Sequence, residues 1–419
     1  WGTKMFDKLN GMFAFCIYDK KKNKIILSRD IAGEKPLYYL KKNNKFYFSS
    51  EAKAIAIVAK PEVIKNKLYD AFQHCLSKTL WKNVFQLPAA NYLVLDLNTT
   101  NFKIFEYWKF KKKKIDLKNP EEQLEELLKN SLDLRFRSDV DFGLYYSKGM
   151  DSSLLAVLKN FRHKFYFNDT GNYKKDFLKK IKKITYHLGT PVGSLSSYPL
   201  WKLAERASKK VKVVISGEGA DELFGGYIRY LPIVQEWQLK KKFTSYKYLF
   251  NKFYDEYIDS FAKITARTEN IELVRETIKP YFEMFDDPIN AMGFADFKVI
   301  MPSLLQMGDR MASAFGIENR CPYLDKRLRE IPDIEFYNDI EDSVGSRSFN
   351  IKGLIHDDVG ILVDKMKIAL RVGHHCAQPI MKQLGIKGTI RVSLAFYNNY
   401  TDIDKLILAL KKAISMLKV

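Results

Sequence analysis

The sequence is poor in the residues that build covalent or metal-held scaffolds. Of 419 residues only four are cysteine, at positions 16, 75, 321 and 376, and no two have C-x-x-C spacing. No His-x-x-x-His pair occurs among the six histidines. This pattern argues against a zinc site and suits a reducing cytoplasm. Long apolar runs are missing too. Stretches such as "GLYY" and "KLILAL" are far too short to span a bilayer, so no membrane partner is expected. The opening "WGTKMFDKLNGMFAF" lacks both a signal-peptide pattern and an initiator methionine, from which a missing upstream segment is expected. A stripe of arginine with aromatics is also absent. Lysine supplies most of the net charge of +21 and is spread along the whole chain, with small runs at 20–22, 111–114 and 240–242. The surplus reads as compositional bias, with nucleic acid not expected as a partner and anionic small molecules the better use for the charge.

What the chain does have is ample core material. With 46% hydrophobic residues over 419 positions it can fill two or three domains. The first 110 residues read as β-rich. "MFAFCIYDKKKNKIILSRD" is two apolar runs around a polar turn, a hairpin pattern, and "KFYFSS", "NYLVLDL" and "KIFEYWKF" are further strands. "KKKKIDLKNP" reads as a linker. Asn119-Pro120-Glu121-Glu122 then starts a helix, with Leu124, Leu127, Leu128 and Leu132 at helical spacing. "VDFGLYY" and "VKVVI" are buried-strand candidates, residues 231–300 are mainly helical, and "DIDKLILALKKAISML" closes the chain as an amphipathic helix. Cys16 and Cys75 read as buried strand or helix residues, outside any nucleophile motif.

Two loops carry candidate chemistry. "SKGMDSS" (147–153) follows one strand candidate and opens a helix, where outward-pointing amides can hold phosphate. It supplies Ser147, Gly149, Asp151, Ser152 and Ser153; an acid beside phosphate makes sense when Mg²⁺ bridges them. An Asp-Ser helix cap has the same appearance, and that reading stays open. "SGEGADELFGG" follows the second strand and crowds Glu218, Asp221 and Glu222 among four glycines. Their repulsion is costly unless a cation is bound; the plainer alternative is a solvated acidic turn.

Together these stretches resemble the glutamine-using asparagine synthetases. "VVISGEGADELFGGYIRY" is similar to the synthetase domain of that family. "SKGMDSS" is similar to its pyrophosphate loop, which reads Ser-Gly-Gly-Leu/Met-Asp-Ser-Ser. "MGDRMASAFGIENRCPYLDKRL" resembles a later segment around Asp309, Arg310, Glu318, Arg320 and Asp325, and "LNGMFAFCIYD…RDIAGEKPLYY…FSSEAKAI" the second half of its glutaminase domain. The resemblance runs over roughly residues 9–330. It implies an α/β chain: a partial β-rich class II amidotransferase (Ntn-type) domain at 1–112 and an ATP-pyrophosphatase-type synthetase domain with a parallel sheet at 113–332. It further implies ATP and Mg²⁺ as cofactors, and aspartate with ammonia or glutamine as substrates. Ser147, Gly149, Asp151, Ser152 and Ser153 would hold pyrophosphate, Ser216 and Gly217 the nucleotide, Asp151 and Asp221 the metal, and Glu218 would stand by the attacking ammonia. A homodimer is the oligomeric expectation.

The match departs from the family in four places. The family's N-terminal nucleophilic cysteine has no counterpart, so glutaminase activity is expected to be absent. Lys148 replaces a glycine, where it either adds charge for pyrophosphate or blocks the backbone's approach. The stretch 160–200 is shortened. After about residue 333 the family's catalytic lysine is replaced by a segment ending in "RVGHHCAQP…GTIRVSLAFYNN". That segment, 333–419, resembles the small α+β C-terminal part of PLP-dependent cysteine desulfurases of the sulfur-mobilising type. Cys376 would there be the persulfide-forming nucleophile, with Arg371 and Arg391 near the substrate. No segment matches the lysine that holds PLP in that family, so PLP is not expected to bind. The alternatives to amidation are thus sulfur transfer through Cys376, or an inactive fusion of two truncated enzymes.

Overall fold

A computed structural model describes residues 1–110, 120–168, 173–243, 247–266, 269–285, 287–329, 346–349, 354–366, 368, 371–373, 389–393 and 400–417. The chain forms two compact units, Trp1–Ile334 and Glu335–Val419. The linker expected at "KKKKIDLKNP" lies almost wholly outside the described residues.

The first unit opens with the expected hairpin, β1 (Ala14–Asp19) and β2 (Lys24–Arg29), paired from Ala14↔Arg29 to Asp19↔Lys24. Next come β3 (Tyr38–Lys42), β4 (Lys45–Ser49), β5 (Phe85–Gln86), β6 (Asn91–Asp96) and β7 (Phe102–Glu106). They form two antiparallel sheets, β1-β2-β6-β7 and β4-β3-β5. Leu27, Leu93 and Leu95 from the first sheet meet Tyr39, Leu37 and Leu87 in one core. The alternation of apolar and polar residues on these strands therefore fills the space between two sheets. The two cysteines here do not both sit as expected. Cys16 is on β1 but exposed, because β1 is an edge strand, and Cys75 is buried but in the loop after the helix Lys67–Phe72.

A parallel sheet follows: β8 (Phe142–Tyr145), β9 (His163–Phe165), β10 (Val213–Ile215) and β11 (Glu318–Arg320), in the order β11-β10-β8-β9. Both faces are covered. Leu144 and Ile215 pack against Leu128 and Leu132 of the helix Pro120–Arg135 and Leu155 of the helix Met150–Leu158. Their neighbours Tyr145 and Val214 point the other way, against Leu203 and Ala204 of the helix Ser197–Ala207 and Ala312 of the helix Met301–Ser313. Strands buried on both faces explain the continuous apolar runs "FGLYY" and "VKVVI". The described residues of 231–300 are mainly helical and pack around Tyr230, Phe261, Phe282 and Met292.

Buried polar bonds lock the β-rich layers to the parallel-sheet layer. The Lys35 ammonium is 2.9 Å from Asp309 Oδ1, the Arg310 guanidinium is 3.1 Å from Glu51 Oε1 and donates to the Ser50 carbonyl, and Asn10 donates to Asp325. Asp325 also takes Arg135 and Arg327, which hold its carboxyl down at about 2 against the cost of burial.

The second unit has β12 (Ser346–Phe349), β13 (Arg371–Gly373) and β14 (Thr389–Ser393) in an antiparallel sheet, order β12-β14-β13. The helices His356–Lys365 and Tyr400–Leu417 share a core with it through Val359, Val363, Ile390, Ala409 and Ala413.

Candidate functional site

β8 and β10 are adjacent and parallel, so the loops that leave their carboxyl ends lie on the same edge of the sheet. "SKGMDSS" leaves β8 and "SGEGADELFGG" leaves β10. Their contact is direct. A methyl group at Gly217 would stand 3.3 Å from Asp151 Cβ and 3.6 Å from the Ser152 amide, so the two loops are packed closely here and a larger residue would need Asp151 to give way by a few tenths of an ångström. Ser216 is buried beneath, its Oγ 3.5 Å from Cys321 Sγ.

The first loop is tied internally by its own hydroxyls. The Gly149 amide donates to Ser147 Oγ (3.1 Å) and the Ser147 amide to Ser152 Oγ (3.3 Å), while Ser152 Oγ donates to the Gly149 carbonyl. Ser153 Oγ lies 3.3 Å from the Tyr146 hydroxyl, and Tyr323 donates to the Asp151 carbonyl. A helix begins at Met150 with Gly149 as its cap residue, and no side chain caps it. The plain Asp-Ser cap is therefore not what the structure has. Lys148 sits at φ +66°, in the left-handed region, with its ammonium 5.9 Å from the Tyr166 ring centroid. That φ is the reason a glycine suits this position: the constraint is on the backbone before any question of what the side chain blocks.

Asp151 and Asp221 are both half-buried, and both carboxyl groups are pushed above their ordinary range. Burial is the first cause in each. For Asp221 the charge of Asp151 adds to it, while Arg229 opposes. The charge of Asp151 acting on Asp221 brings the two carboxyl groups into one neighbourhood. Among the described residues no cluster of three or more metal-ligating side chains exists. Mg²⁺ fits such a pair, since it commonly takes one or two carboxylates and completes its shell with phosphate oxygens and water.

The three acids of the second loop do not stay together. Glu222 turns into the core, where burial lifts its carboxyl to about 7 and Tyr227 donates to it at 2.6 Å. Buried Asp296 lies nearby, held by Arg229 and Tyr230 and lifted to about 6. Glu218 goes to the other side: Cys321 Sγ is 3.8 Å from its Oε2, and its Oε1 is 3.6 Å from where a Gly308 methyl would stand. Burial and the Glu218 charge push the Cys321 thiol well up, so this cysteine is not a nucleophile. Around Glu218 sit groups that sequence reasoning passed over. The Tyr145 hydroxyl and Asn319 Oδ1 are buried with no hydrogen-bond partner. Tyr145 lies in "VDFGLYY" and Asn319 in "MGDRMASAFGIENRCPYLDKRL", but nothing in either stretch marks them as site residues; the fold brings them to Glu218, whose charge acts on Tyr145 and whose Oε1 shares the surroundings of Gly308 with Asn319.

In the second unit Arg371 and Arg391 are directly opposite each other in the β13–β14 register. Cys376 lies outside the described residues.

Comparison with known proteins supports two origins. A glutamine amidotransferase domain model matches residues 1–108, an asparagine synthase model residues 172–331, and an aminotransferase class-V model residues 308–406. A Methanocaldococcus jannaschii protein provisionally named glutamine-hydrolysing asparagine synthetase 2 is 35% identical over 268 residues, covering 55% of this chain and 52% of its own length. Glutamine-hydrolysing asparagine synthetase 1 of Bacillus subtilis is 28% identical, over 77% of this chain and 62% of its own. The chain thus spans about half to three-fifths of these relatives. A crystal structure of the cysteine desulfurase CsdA from Escherichia coli is 38% identical over 17% of this chain and 21% of its own, with a TM-score of 0.17, too low for a comparison of folds.

Proposed function

We propose, from the premise that residues 1–331 are related by sequence to the glutamine-hydrolysing asparagine synthetases, that this chain is an ATP-dependent ligase that amidates aspartate with ammonia. The domains in this reading are a partial amidotransferase domain at 1–112, a synthetase domain at 113–332 and a desulfurase-like tail at 333–419. The observation that carries the reading is the meeting of Asp151 and Ser152 with Gly217 at the carboxyl ends of adjacent parallel strands.

In the first step a side-chain carboxylate oxygen of aspartate attacks the α-phosphorus of ATP. The bond to the bridging oxygen breaks, and pyrophosphate leaves. Ser147 and Ser152 exchange their mutual hydrogen bonds, and Ser153 its contact with Tyr146, for bonds to the departing phosphates, and Gly149 offers its amide. Ser216 and Gly217 line the nucleotide. Asp151 and Asp221 would hold Mg²⁺, which when bound neutralises charge on the pyrophosphate. In the second step ammonia attacks the acyl carbon, the bond to the AMP oxygen breaks, and Glu218 takes the proton that nitrogen loses.

Ammonia is the nitrogen source in this reading, because the cysteines of the amidotransferase part are not activated. Burial drives the thiol of Cys75 to about 12, and the partial cover of the otherwise exposed Cys16 raises its thiol as well. A cytoplasmic setting is part of the proposal, as Cys16, Cys75 and Cys321 are all free thiols. No helix among the described residues is long and apolar enough to cross a membrane.

Aspartate-dependent exchange of labelled pyrophosphate into ATP tests this reading. We expect slow exchange above the aspartate-free blank, lost in Asp151→Asn, with asparagine formed from ammonium and no glutamate released from glutamine. Exchange that ignores aspartate, or glutamate release by the pure protein, overturns it.

A further inference from the structure

Although its cations are scattered in the sequence, the fold gathers one group of them at the free edge of the parallel sheet. β9 is the last strand there. Beside it lies an open groove of about 450 Å³, lined by Arg162, Lys164, Phe165, Arg206, Lys209 and Lys210 together with His163, and by no carboxylate. Arg162, Lys164, Lys209 and Lys210 are exposed. The Arg206 guanidinium is fixed by neutral main-chain oxygens, those of Tyr166 (3.0 Å) and Asn168 (3.3 Å), so it is oriented without its charge being cancelled.

Around the strand edge from this groove, and not part of its lining, lies an aromatic pair, reached through Lys164. The rings of Tyr146 and Tyr166 meet edge to face at 5.2 Å, with the Lys164 ammonium 5.6 Å from the first ring and the Lys148 ammonium 5.9 Å from the second. Tyr166 is 37% exposed, so part of its ring is open to a stacking partner. Basic side chains along a strand edge, with ring faces just around that edge, form a pattern that can hold single strands: phosphates along the cations, bases on the rings. Neither half of this pattern is visible in the chain order, because Tyr146, Lys164 and Lys209 come from three separate segments.

We propose that this edge binds single-stranded nucleic acid, with phosphates along Arg162, Lys164, Arg206, Lys209 and Lys210 and a base on Tyr166. The proposal does not rest on the ligase reading.

The test is fluorescence anisotropy of the full chain with a labelled 20-nucleotide oligouridine over a range of salt. The double variant Lys209→Glu/Lys210→Glu should weaken binding about tenfold or more and reduce the salt slope by roughly 1.4, two phosphate contacts at about 0.7 each. Tyr166→Ala should weaken it about fivefold or more, and Tyr166→Phe should keep it. The control Lys21→Glu/Lys22→Glu makes the same charge change on the exposed β1–β2 turn and should leave binding within twofold. Equal loss in the control and the groove variant means net charge alone and overturns the proposal. So does no binding of the unmodified chain. So does a groove that takes tripolyphosphate but gives oligouridine no advantage over it.

Discussion

Lys148 is the residue at which backbone geometry and chemistry conflict. A left-handed φ costs a side-chain-bearing residue on the order of 1–2 kcal/mol, and glycine almost nothing. Lys148→Gly should therefore raise unfolding stability by about 1 kcal/mol, read by denaturant melts, and tighten pyrophosphate binding, read by calorimetry, without bringing aspartate amidation to an ordinary rate. Unchanged stability together with unchanged binding would show that the strain is relieved elsewhere. Glu222 makes a second residue-scale prediction. Its folded-state carboxyl titrates near 7, above its ordinary 4.5, so between those values the native state keeps a proton that the unfolded state has released. Stability from this group is full below about 4.5 and is lost as pH rises through 7, by at most about 3 kcal/mol. Glu222→Gln should gain on the unmodified protein across that window. A difference curve flat from pH 4.5 to 7 would contradict the burial argument.

At the scale of elements, the site depends on two short parallel strands holding two loops in contact. β8 and β10 pair over Phe142–Leu144 and Val213–Ile215, and beyond them short loops lead into the first turns of the helices Met150–Leu158 and Ala220–Phe224, which carry Asp151 and Asp221. Asp151 and Asp221 come from different loops, so a shared Mg²⁺ would stitch the loops together. Asp151→Asn and Asp221→Asn should each raise the Mg²⁺ needed for half-maximal ATP binding by at least the roughly tenfold that loss of an outer partner costs. An Mg²⁺ titration in which one variant matches the unmodified chain would reject the two-carboxylate site. The short strands also mark how far sequence reading reached. Runs of apolar residues exposed β1, β2, β4, β6, β7, β8 and β10. β5, β9 and β11 are two or three residues long and show no period, and β3 was passed over beside the prolyl "KPLYY" motif.

For the whole molecule, the two compact units carry two different resemblances, and each has its own core. If the ligase reading holds, the chemistry of the first unit needs nothing from the thiol of the second. Cys376→Ser should leave aspartate-dependent pyrophosphate exchange within twofold of the unmodified chain, and neither protein should show the visible absorbance of bound PLP. A large loss of exchange in the variant would tie the units together functionally. Coupling of the layers within the first unit is physical and already visible: Lys35–Asp309, Glu51–Arg310 and Asn10–Asp325 join residues more than 250 positions apart.

The sequence alone determined the hairpin, the two principal parallel strands, the helical layer and the places of both loops, because these rest on local period and on the residue types that end strands and open helices. It also determined the departures, Lys148 among them. Tertiary structure decided which acids lie near one another. Three neighbours in the chain, Glu218, Asp221 and Glu222, are sent to three surroundings. Glu222 goes into a core with Tyr227, Glu218 to Cys321 and Asn319, and Asp221 to Asp151, seventy residues earlier. A turn of helix points successive side chains in different directions, and only the packing around it says what each one meets. For the same reason the exposed aromatic and basic edge at β9 could not be read from a chain that disperses its members.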